Sequence, residues 1–325
     1  MKGKKNLIIN AVIAVAVYAV VMVLVNTGAL SRQLMSLIVP ICTYIMLAVS
    51  LCLVVGFLGE LSLGHAAFMS VGAYSGGILM IQTKDILPTY ASLILALLFG
   101  GLCAAVLGLV IGVPVLRLKG DYLAIVTLGF GEIVKSIINS MTGITGGAKG
   151  LSKIPTLTTY RNFTFVFIIV IIVIVVVSHL VKSRHGRAIC AVRDNYIAAE
   201  AVGIPVSKFK IMAFVVAAFL AGMAGVIYAG NIGILKPVNF DYNTSIEILV
   251  IVVLGGMGNI KGSIIAAVVL TALPELLRGA ADYRMLIYAI ALIAMMLFNN
   301  SPLKKMMVER RNLRQAEKIQ KGEEV

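Results

Sequence analysis

Few side chains here could do chemistry, and most of them sit inside apolar stretches. Glu132 and Lys135 are three residues apart, so a helix would carry both on one face. Such a pair can be a structural ion pair or a contact for a charged solute, because an ionisable group in lipid costs free energy. Glu60 and His65 flank a glycine-rich interruption, Glu247 lies early in a later apolar run, and Glu275 follows Pro274. A lone histidine such as His65 is more often a packing residue than a proton carrier; His179 and Glu275, near the edges of apolar runs, carry no expected role. No paired carboxylates and no nucleophile–base set occur at useful spacing, which argues against an enzyme. Cys42, Cys52, Cys103 and Cys190 fall in separate segments and the 3 histidines are scattered, so neither a metal site nor a cofactor is expected.

A nucleotide site is also missing. Gly143-Ile-Thr-Gly-Gly-Ala-Lys149-Gly150 comes nearest to a phosphate loop, but Ala148 stands where a glycine is needed and Gly150 where Ser or Thr is needed. If ATP drives this protein, another polypeptide binds it.

The elements that must hold these groups are membrane helices. Residues are 60% hydrophobic and mean hydropathy is +1.02. Roughly 20 apolar residues cross a bilayer, and unbroken runs such as Phe163 to Leu180 exclude the alternation of a barrel strand. The expectation is an all-α polytopic membrane protein with about ten spans. These run Leu7–Val25, Leu34–Val55, His65–Gln82, Tyr90–Val113 and Tyr122–Ser140, then Phe163–Val181, Lys208–Gly230, Thr244–Met257, Ser263–Leu277 and Met285–Phe298. The eighth and ninth are short and glycine-punctuated, so eight spans plus a re-entrant pair is the alternative. Either count is even and puts both termini on one side. With the N-terminus inside, nineteen Lys and Arg face the cytosol against eight outside; the inverse topology would reverse that bias. Net charge +14 is then mostly anchoring to lipid headgroups rather than a nucleic-acid site. No cleavage pattern of a signal peptide follows MKGKK, and the first span is expected to stay as an anchor.

One polar island interrupts the lipid-soluble chain. Residues 182–207, with Lys208 and Lys210 just beyond, carry Lys182, Arg184, Arg187 and Arg193 between two apolar spans. Short surface helices fit this length. Asp194 or Asn195 can cap the second of them, Gly203 supplies a left-handed stop and Pro205 blocks continuation. The alanines between would let another protein approach closely. Glycines at Gly72 and Gly76, and at Gly108 and Gly112, have the spacing of close helix packing. Glycine-broken segments at Gly56–Gly76 and Leu254–Gly262 could instead expose backbone dipoles to a passing solute. The outer loop Met141 to Asn162 suits either a plain connection or a docking surface.

Taken together, five stretches resemble the permease subunits of bacterial ABC importers for branched-chain amino acids, of the LivM type. They are GFLGELSLGHAAFMSVGAY (Gly56 to Tyr74), LRLKGDYLAIVTLGFGEI (Leu116 to Ile133), TGGAKGL (Thr145 to Leu151), SRHGRAICAVRDNYIAAEAVGI (Ser183 to Ile204) and VLGGMGNIKGSIIAA (Val253 to Ala267). The resemblance implies one permease domain over residues 1–325, with a coupling segment at 182–207 and a basic cytosolic tail at 302–325. It also implies a homologous sister permease, two cytosolic ATP-binding subunits and an extracytoplasmic substrate-binding protein, in a bacterial plasma membrane. Coupling residues would be Arg187, Arg193, Asp194, Ala198, Ala199, Glu200, Ala201 and Gly203, although the order of Glu and Ala departs from the usual permease loop. Pathway candidates are Gly59, Ser62, Gly64, His65, Thr127, Gly129, Glu132, Glu247, Gly255 and Gly256; Thr145, Gly146, Gly147 and Gly150 would form the external docking loop. Leucine, isoleucine and valine need an apolar wall, amides for the carboxylate, and Glu132 or Glu247 for the ammonium. Permeases for urea, sugars or nucleosides are the alternative within the class. An ion-coupled secondary transporter, relying on Glu132, Lys135 and His65, is the rival outside it.

Overall fold

Lipid cannot hydrogen-bond a backbone, so a chain this apolar must satisfy its amides within each segment. The computed structural model does so with helices throughout. It describes residues 2–27, 31–118 and 120–277, with isolated positions between 286 and 297. The chain divides into two units, 1–272 and 273–325. The expected tenth span is described at only a few positions, and the basic tail 302–325, Lys119, Arg278 and Arg284 lie outside the described residues.

Twelve α-helices are described: α1 Lys2–Asn26, α2 Arg32–Leu51, α3 His65–Thr83, α4 Thr89–Val115, α5 Asp121–Ser140, α6 Thr142–Thr145, α7 Phe163–Lys182, α8 Arg184–Asp194, α9 Tyr196–Ala201, α10 Val206–Ile232, α11 Tyr242–Gly255 and α12 Ile260–Leu276. Among the described residues no strand occurs; Leu151 and Leu235 form a single antiparallel bridge. Six segments are long and apolar enough to cross a membrane: Gln33–Leu58, Thr89–Val115, Asp121–Ser140, Tyr160–Lys182, Val206–Ile232 and Pro237–Gly255. Outward faces are apolar too. Leu98, Leu102, Val106 and Val110 follow one another along α4, and Ile168, Ile172 and Val176 along α7, all exposed. A soluble protein would place polar residues there.

The core forms around α10, which packs chiefly on α4 and α3 and then on α2. Its buried face is built of small residues, among them Ala217, Ala218, Ala221, Gly222, Ala224 and Gly225. Gly72 of α3 meets Gly222 so closely that a Cβ would fall on the Gly222 backbone. Between TM helices the hydrophobic effect gives little drive, so this backbone-to-backbone approach supplies van der Waals contact instead. Gly76 faces Val226, Gly108 faces Ala218 and Gly112 faces Phe214, so both sequence-predicted glycine pairs are packing pairs. At the edge, Tyr18 of α1 bonds Thr164 of α7 at 2.9 Å and stacks on Phe163.

Two interruptions break the helical pattern. After α2 the chain passes through a π-helical stretch, Cys52–Leu58, and turns at Gly59 in the left-handed region (φ 79°). It is then non-helical from Gly59 to Gly64, returning beside α2 until His65 meets Ser50. The second lies between α11 and α12, at Gly256 to Asn259.

Candidate functional site

The two glycine breaks, far apart in sequence, touch each other. A Cβ on Gly56 would overlap the backbone of Gly258. Onto this contact reaches Arg193, from the last turn of α8. Its Nη1 donates to the Gly56 carbonyl over 3.1 Å, and its Cγ lies where a Gly59 Cβ would be 2.6 Å away. The rest of the guanidinium holds Asp194, with Nη2 to Oδ1 at 2.7 Å and Nε to the same oxygen at 2.9 Å. Beside it, Glu60 of the first break forms an ion pair with Lys210 in the first turn of α10, both nearly buried. Thus one arginine and one ion pair tie the polar island to both interruptions.

The island folds as its sequence suggests. Ser183 caps α8 by accepting from Gly186, and the Asn195 carboxamide oxygen caps α9 by accepting from Ile197 at 3.1 Å and Ala198 at 3.0 Å. Of the two candidate caps, Asn195 takes the role because Asp194 is engaged by Arg193. Gly203 ends α9 at φ 85°. Ala199 turns inward and is buried, whereas Ala198, Glu200 and Ala201 stay exposed and Arg187 lies along the outer face of α8. Sequence reasoning missed the apolar members of that surface. Tyr196, Ile197 and Val202 are exposed, Val202 by 77%. Apolar residues at positions the alanine pattern did not claim were the available signal.

Expected pathway residues fall into separate groups. Ser62, Gly64, His65 and Thr127 come together where α3 begins. Leu63 donates its amide to Thr127 Oγ1 at 2.9 Å, Gly64 abuts the Thr127 carbonyl, and Ala66 donates to Ser245 Oγ at 3.1 Å. Those side chains satisfy amides that a non-helical stretch cannot satisfy itself; Ser245 was not singled out in the sequence. His65 is buried and bonded to Ser50 Oγ at 2.7 Å, a packing histidine. The Ser62 hydroxyl is buried without a partner. Glu132 and Lys135 pair at 3.2 Å, and Glu132 also accepts the Tyr242 amide at 3.2 Å, so α5 is fixed to the start of α11. Glu247 instead accepts from Tyr44 at 3.0 Å. Gly129 lies on the exposed face of α5 with open space around it, and Gly255 packs on Ser263 with Gly256 turning at φ 93°.

The outer loop is tied down. Thr145 is buried, donating to the Ile138 carbonyl at 2.6 Å, while Gly147 and Gly150 are buried and Gly146 adopts φ 74°. Leu151 and Leu235 exchange backbone bonds of 2.8 and 2.9 Å, and Thr158 donates to the Ile227 carbonyl. Its outward surface belongs to Ile144 and Lys149. Among the described residues no cluster of three or more His, Cys, Asp or Glu could hold a metal ion.

Comparison with known proteins places this arrangement. The family described as branched-chain amino acid transport system / permease component matches residues 33–298. A high-affinity branched-chain amino acid transport system permease protein, LivM, of Salmonella typhimurium is 35% identical over 91% of this chain and 74% of its own length. The protein of the same name from Escherichia coli is 35% identical over 78% of this chain and 66% of its own. An L-arabinose ABC transporter permease, AraH, of Azospirillum brasilense is 26% identical over 89% and 83%. No solved structure gives a significant match.

Proposed function

The chain belongs to the branched-chain amino acid transport permease family, and from that membership we propose that it is the membrane pathway of an importer for leucine, isoleucine and valine, driven by separate ATPases. It is a multi-pass membrane protein; we assign it ten crossings, adding α1, α3, α12 and the segment near Met285–Phe298 to the six long helices. Both termini face the cytosol in this reading, supported by the Lys/Arg bias. A sister permease lies opposite, two ATP-binding subunits dock below, and a binding protein delivers solute from outside.

The observation that carries the mechanism is the reach of Arg193 to Gly56. Closure of an ATPase pair against α8 and α9 moves a ledge whose inner end grips both glycine breaks. The breaks are where backbone is free of a helical ladder, so displacement there rearranges the pathway without unwinding a span. Glu60 with Lys210 transmits the same displacement to α10. In this reading Tyr196, Ile197, Glu200 and Val202 meet the ATPase, and Arg187 flanks them.

The substrate follows the relatives' names and is tested directly. Purify the chain from its native membrane with whatever accompanies it, reconstitute the complex, and measure ATP-driven uptake of leucine, arabinose and urea. Leucine uptake dependent on ATP and on the binding protein is expected. Concentrative uptake by the isolated chain under a proton or sodium gradient would overturn the reading in favour of a secondary transporter.

A further inference from the structure

Away from the ledge, where α5 nears its outer end, the chain holds a cleft with charges of both signs. Glu132, Lys135, Ser136, Asn139, Pro237 and Val238 line a volume of about 170 Å³. For scale, an engineered apolar cavity of roughly 150 Å³ admits a benzene-sized solute. Lys135 Nζ stands 3.2 Å from Glu132 Oε2, and both side chains remain partly open, 26% and 40% exposed. Neither group is saturated by its partners. A carboxylate offers about four lone-pair sites, and here one is used by Lys135 and one by the Tyr242 amide. An ammonium has three donors, of which Glu132 takes one.

The surroundings sort by chemistry. Asn139 lies one helical turn beyond Lys135, on the same face of α5. Asp241, which caps α11, places a second carboxylate within the field of Lys135. Pro237 and Val238 supply an apolar wall, with Val238 exposed by 70%. A simple anion would be repelled by Glu132 and a simple cation by Lys135. A neutral solute would have to displace a charge pair and give neither charge a counterpart, which is costly. A solute with both charges and an aliphatic arm satisfies every group at once.

We propose that this cleft receives a zwitterionic α-amino acid: its carboxylate on Lys135 and Asn139, its ammonium on Glu132, and its aliphatic side chain on Pro237 and Val238. The proposal rests on the import reading above and names the part of the pathway that would first take the solute. Empty, the site is neutralised by its own ion pair; filled, each half of the pair faces the opposite charge of the ligand. Charge balance is therefore preserved in both states, so binding is weak and exchange fast, as a transit site requires.

The test uses the assembled importer in proteoliposomes. Ser136→Cys, a near-isosteric change at an exposed lining position, is labelled from outside with a membrane-impermeant maleimide; the complex without that substitution is the blank. Saturating L-leucine should slow labelling several-fold, whereas leucinamide, lacking the carboxylate, and N-acetyl-leucine, lacking the ammonium, should not. Glu132→Gln and Lys135→Gln should each remove the protection by leucine and raise the KM for its uptake. Equal protection by all three compounds would overturn the proposal by showing a merely apolar cleft. So would absence of protection in a complex whose ATP-driven leucine uptake is intact, and in that case the import reading stands. A complex that assembles but imports no branched-chain amino acid sinks the reading and this site with it.

Discussion

Arg193→Ala removes the donor from the Gly56 carbonyl, which is buried, and empties the space against Gly59. A hydrogen bond from a charged donor contributes ~1.5–3 kcal/mol, and an orphaned buried acceptor costs ~1–3 kcal/mol. Arg193 is 38% exposed, so water recovers part of that loss; about 2 kcal/mol is a reasonable net figure, roughly a 30-fold bias against the gripped state. The assay is leucine imported per ATP hydrolysed by the reconstituted complex. The expected result is a large fall in that ratio with assembly and ATP hydrolysis retained. Gly59→Ala should do much the same, because a Cβ there would press on Arg193 Cγ and the φ of 79° disfavours any side chain. Since both changes act on one contact, the double variant should be little worse than either alone. A normal ratio in Arg193→Ala, with the complex intact, would refute the idea that the ledge works through this residue.

Breaking the ion pair at the first interruption should act on stability rather than coupling. Glu60→Gln leaves Lys210 charged and only 12% exposed; losing one partner of a buried pair costs about 3–5 kcal/mol. A marked drop in thermal unfolding temperature in detergent is expected, with partial recovery in the Glu60→Gln, Lys210→Met double variant. On the ledge, Ile197→Asp places a charge within the exposed apolar surface of α9 and should cut the ATPase that co-purifies. Unchanged co-purification would mean this face does not dock. Gly203→Pro, which cannot reach φ 85°, and Glu200→Arg should each uncouple hydrolysis from uptake while the protein still inserts; normal import by both would reduce the segment to a connector.

Much of this architecture was legible in the residues. Helical spans follow from apolar length, and the caps and stop of the island follow from Ser183, Asn195 and Gly203, whose effects act within a turn. Local chemistry also marked the Glu132–Lys135 pair, since a three-residue spacing closes on one helix face. Contacts across the chain were not visible. Nothing near Glu60 announces Lys210, nor does anything near Arg193 announce Gly56, because such pairings depend on how helices stack. His65 was read as a packing residue, and its bond to Ser50 agrees. The alanines of α9 were read together, yet a helix must turn one of them inward, and Ala199 is that one. The outer-loop glycines read from sequence as a docking surface; the side chains on its outward surface belong to Ile144 and Lys149 instead.

The fusion of α3 to α10 at Gly72 and Gly222 limits what can flex. Side chains ordinarily act as bearings between helices, and here there are none, so these two helices and α4 behave as a single keel. By contrast, only 28% of the apolar stretch of α5, and 28% of that of α11, is sheltered, against 67% for α10. Whatever gap opens for a solute must widen along those two loosely seated helices, with the keel standing still.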